Sequence, residues 1–85
     1  MDLLATFPTT HAVLSAEKRL KALGLAAELI PVPRQIRSSC GFCLLAEAPA
    51  GEAPLRALGP ESLWRVLEPG PGHPRRRYEP CPEDH

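Results

Sequence analysis

The chain has 85 residues, and its ten Lys plus Arg balance ten Asp plus Glu. That length suits one domain with a thin core, and the charge balance argues against the broad field that gathers nucleic acid or an acidic membrane. No stretch approaches the roughly 18 apolar residues of a membrane span, so neither nucleic acid nor membrane is an expected partner.

Residues 3–7 form a short apolar run stopped by Pro8, which predicts a buried strand. Thr9 or Thr10 then caps a helix, whose apolar stripe is Ala12, Val13, Ala16, Leu20 and Leu23, with Gly24 at its C-terminal end. Residues 26–32 predict a second strand, and Pro31 and Pro33, which cannot donate to a ladder, fit a strand's end or a sheet edge rather than a central position. A polar connection leads to a third strand in GFCLLAE, then a short helix that Pro54 opens and Gly59 ends. ESLWRVLE suits a fourth strand by its alternation, although Leu63, Val66 and Leu67 also suit a helix. The expected fold is therefore α+β: a small ferredoxin-like βαββαβ sandwich, a four-stranded antiparallel sheet with two helices on one face. Residues 1–68 make the domain, and residues 69–85, dense in Pro and Gly, an irregular C-terminal tail.

The start MDLLATFPTTH has neither the basic opening nor the apolar core of a leader peptide. With that start, an odd count of three cysteines predicts free thiols in the cytoplasm. Cys40 and Cys43 form a CxxC, the spacing of a zinc half-site, of a redox pair, or of one working thiol with a neighbour. An extended segment puts their Cα atoms about 10 Å apart with side chains on opposite faces, whereas a disulfide needs about 7 Å or less. Pairing would need a turn at Gly41 or a helix starting at Phe42, for which the few residues before Pro49 leave little room. The strand reading makes Cys43 a sheet residue and leaves Cys40 where a polar loop meets the strand, near Arg34 and Arg37, in surroundings that favour a thiolate. Zinc has a candidate set in Cys40, Cys43, Cys81 and His85, with a long separation between its halves. A Cys40/Cys43 redox switch is the other alternative. His11, at the helix start, could orient a thiolate or remain merely solvated.

Phe7, Thr10-His11, Glu17-Lys18, the segment IPVPR at 30–34, and Ser38-x-Cys40-Gly41 together resemble small bacterial selenium/sulfur carrier-like proteins, the DUF3343 group. The likeness covers about the first half of the chain, and the proline-rich end departs from it. It implies a cytosolic carrier, more than a turnover enzyme, whose Cys40 thiolate accepts a sulfur or selenium atom and passes it on. Arg34 would stabilise the anion, with Gly41, His11 and Cys43 in support. It implies donor and acceptor enzymes as partners and no resident cofactor. An exposed edge strand would also permit a homodimer.

Overall fold

A computed structural model of the chain describes residues 1–81. Seven elements follow in order: β1 (Leu3–Thr6), α1 (Thr10–Ala22), β2 (Ala27–Pro31), β3 (Phe42–Ala46), α2 (Glu52–Ala57), β4 (Ser62–Leu67) and β5 (Arg77–Pro80). They build one antiparallel sheet in the order β2-β3-β1-β4-β5. β1 pairs with β3 on one side and β4 on the other, so the chain's first strand lies at the middle of the sheet.

Both helices pack on one face. Val13, Ala16 and Leu20 of α1 and Leu55 of α2 share a buried cluster with Leu3, Ala5, Phe7, Leu44, Ala46 and Leu63. The other face carries a smaller cluster of Leu4, Cys43, Leu45 and Val66, joined by Ile36 from the β2–β3 connection and flanked by half-buried Trp64 and Tyr78. Apolar cover on both faces explains why β1 and β3 read as continuous apolar runs without alternation. Thr9 caps α1, its side chain accepting the Ala12 N–H at 3.0 Å. Gly24, at φ 77°, takes the left-handed turn that lets the chain leave the helix.

The sheet has five strands where four were expected, and the tail is not wholly irregular. Arg77–Pro80 pairs along β4, with Tyr78 opposite Val66 and Pro80 opposite Trp64. Its local sequence gives no strand period; the strand exists because β4 offers an open edge, and Pro80 is tolerable because β5 is itself the outer edge. A chain ending at Glu68 should therefore lose about 1–2 kcal/mol through the missing cross-strand pairs. Urea unfolding of the two lengths checks this, and equal midpoints would count against it.

Candidate functional site

The connection between β2 and β3 is pinned at both ends. The Val32 N–H donates to the Gly41 carbonyl at 3.0 Å, extending the hairpin stem, and the Ile36 N–H closes a turn onto Pro33 at 3.0 Å. Ile36, 5% exposed, anchors the loop to the sheet's second face. Ser38 Oγ accepts the Cys40 N–H at 3.2 Å, a local turn that sets the backbone entering the strand.

This path brings Cys40 to the first turn of α1. Its Sγ lies 3.6 Å from Thr10 Oγ1 and receives the Phe42 N–H at 3.5 Å. Thr10 is the first residue of a 13-residue helix, whose N-terminus carries partial positive charge and so favours an anion nearby. A sulfur anion here meets a backbone donor, a hydroxyl and the positive end of a dipole. Sequence alone suggested an open loop thiol, but Cys40 is 5% exposed and packs with the helix-face cluster. The loop returns over the α1 N-terminus and buries its last side chain there.

Cys43, three residues on, belongs to the other cluster. It has no exposed surface, and its nearest polar partner is the Pro31 carbonyl at 3.9 Å. Burial pushes its thiol up to about 11, with the charge of Cys40 adding to the effect. Cys43 is a packed, protonated thiol, as a sheet residue would be. Because its folded value lies above its ordinary 9.0, its contribution is present below pH 9 and is lost as pH rises towards about 11. Stability should fall across that window, and Cys43→Ala should flatten the fall in thermal unfolding at pH 8, 9.5 and 11; an unaltered profile would refute the assignment.

The other expected residues are dispersed. Arg34 is exposed in the turn after β2, with no hydrogen bond or ion pair among the described residues. His11 is exposed and lines a shallow cleft of about 270 Å³ with Phe7, Pro8 and Leu58. Gly41 has no positive φ and open space where a Cβ would stand, so neither sterics nor backbone demands glycine there. All three described cysteines are free thiols. Cys81 is half-buried against the helix-face cluster and donates its N–H to Leu63 at 2.8 Å. Among the described residues no three or more His, Cys, Asp or Glu gather as a metal site; His85, the remaining member of the zinc set, lies outside them.

Three contacts of the Cys40 segment were not legible in the sequence, one with Thr10 and two with Glu61. Thr10 was legible as a candidate cap and as part of the family resemblance, but its place facing the thiol was not. Ser38 and Ser39 both reach the carboxylate of Glu61, at 2.9 and 3.3 Å. A serine two residues before Cys40 does signal a local turn. Glu61 carries no signal, because its partners lie more than 20 residues away in the chain.

Comparison with known proteins finds a family described as "Putative Se/S carrier protein-like" over residues 2–60. It also finds the uncharacterized Escherichia coli K12 protein YtiA, 33% identical over 51 residues. That alignment covers 60% of this chain and 60% of YtiA, so the chain spans less than two thirds of this curated relative. No solved structure matches the chain. The family match takes in α1, the β2–β3 connection, Cys40 and Cys43, and stops short of β4, β5 and Cys81. The chain belongs to the Se/S carrier protein-like family.

Proposed function

We propose that this protein carries sulfur or selenium in the cytoplasm on one thiol, Cys40. The observation that supports this most is the seating of Cys40 Sγ between the Thr10 hydroxyl and the Phe42 N–H at the start of α1, while Cys43 is sealed and held protonated. In the loading step the Cys40 thiolate attacks the outer sulfur of a donor's persulfide. A sulfur–sulfur bond forms at Cys40, the donor's sulfur–sulfur bond breaks, and the donor leaves as its thiolate. No oxidant is consumed, because the transferred atom arrives already at the sulfane level. Attack by an acceptor thiolate on the outer atom reverses the exchange, and a donor selenosulfide follows the same course.

A carrier of this kind works with a donor and an acceptor enzyme. No helix among the described residues is long and apolar enough to cross a membrane, in keeping with a partner-to-partner role in solution. We also read β1 to β4 with the two helices as a ferredoxin-like unit, on the strand order β2-β3-β1-β4.

The test is intact mass after incubation with cysteine and a cysteine desulfurase. The protein should gain about 32 Da, one sulfur, and lose it on reduction. Reversal matters because a sulfinic acid adds two oxygens and nearly the same mass, yet resists reductant. No gain, or a gain that reductant leaves in place, contradicts the proposal.

A further inference from the structure

Cys40 is 5% exposed, so a partner's persulfide reaches its sulfur only if the segment that carries it moves out from the helix-face cluster. Residues 37–40 lie between two fixed points, the buried Ile36 and Gly41, whose carbonyl is held by Val32. Ser38 has one hydroxyl proton and two acceptors within reach, Glu61 Oε1 at 2.9 Å and the Phe7 carbonyl at 3.4 Å. The nearer of the two, Glu61 Oε1, takes it. The same Ser38 oxygen accepts the Cys40 N–H at 3.2 Å, and Ser39 Oγ donates to Glu61 Oε2 at 3.3 Å. Glu61 is itself fixed, its N–H bonded to the Thr6 carbonyl at 2.7 Å. One carboxylate from the α2–β4 junction thus holds both residues before the thiol, and one hold continues to the Cys40 amide.

We infer that Glu61 is a latch on the Cys40 segment, and that the thiol becomes available when the Glu61–Ser38/Ser39 contacts break. These contacts are exposed hydrogen bonds of modest net worth, so they open locally while the core stays folded. The latch is also reachable: Glu61 is exposed and lines an open cleft of about 520 Å³ with Arg56, Ser62 and Trp64. Closed, it keeps Cys40 from adventitious oxidants; open, it presents the sulfur. That use rests on the carrier proposal, but the latch itself stands on the loop geometry.

The experiment is the rate of alkylation by iodoacetamide, resolved for each cysteine by peptide mass in the full chain. Glu61→Ala should speed modification of Cys40 about fivefold, the factor that one net hydrogen bond represents, while Cys43 stays protected. Ser38→Ala with Ser39→Ala should speed it at least as much, since it also removes the acceptor of the Cys40 N–H, and adding Glu61→Ala to that pair should change nothing further, because Glu61 acts on the segment through these two serines. An unchanged or slower rate at Cys40 overturns the inference, as does acceleration shared equally by Cys43, which would mean general loosening. Alkylation needs no sulfur donor, so a protein that fails to load sulfur can still show the latch. A loading protein whose Cys40 ignores Glu61 would sink the latch alone.

Discussion

Cys40→Ser is expected to abolish sulfur loading, while Cys43→Ala loads one sulfur as the native chain does. Serine keeps the size and the two hydrogen-bonding neighbours of Cys40, Thr10 and the Phe42 N–H, so the fold should lose only about 1 kcal/mol. It has no sulfur with which to form the new bond. Cys43 cannot take over, because a thiol pushed up to about 11 and fully buried is ionised at neutral pH in about one molecule in ten thousand. Only the ionised form attacks. Intact mass of both variants after desulfurase treatment reads this directly, with urea unfolding of the same samples as the control for folding. Retained loading in Cys40→Ser would remove Cys40 from its assigned role.

A large stability effect is expected at Leu55. It is the one buried residue of α2, with no exposed surface, and it ties that six-residue helix to the helix-face cluster. Leu55→Ala deletes buried methyl groups and leaves a cavity, a change that costs about 2–5 kcal/mol in cores of this kind. A domain of this size has about 5–15 kcal/mol in total, so the variant should be close to unfolding in mild urea. Leu14→Ala is the matched control. Leu14 lies on α1 but is 46% exposed, and surface changes of that sort stay within about 0.5 kcal/mol. Denaturation midpoints at unchanged slope would give the comparison. Equal shifts for the two leucines would show that α2 is not packed as described.

The sequence showed most clearly the elements whose signals are local. The stripe of α1 follows from helical spacing, and Val13, Ala16 and Leu20 are its buried residues. Leu23 broke from the stripe because it is the C-cap, past the last helical turn, and is 63% exposed. The alternation of ESLWRVLE correctly indicated a strand, and Pro31 and Pro33 marked the end of β2, which is also an edge strand. β5 was missed because RYEP owes its conformation to the edge of β4 and not to its own side chains, of which only Tyr78 is half-buried. The site divides in the same way. The strand period correctly separated Cys43 from Cys40. The burial of Cys40 and its tie to Glu61 depend on how the β2–β3 connection folds back over α1, and no spacing within that connection encodes it. Arg34 and His11 looked like natural partners for a thiolate from their types, but both are exposed and no described contact joins either to Cys40.

If one thiol of the CxxC does the work, the native chain itself will show which. Desulfurase-loaded protein would be digested without reductant and the peptide spanning residues 38–56 fragmented between Cys40 and Cys43. The added sulfur, about 32 Da, is expected on the fragments containing Cys40 and not on those containing Cys43 alone. Sulfur found on Cys43, or a loss of two hydrogens marking a Cys40–Cys43 disulfide in place of any gain, would contradict the assignment to Cys40.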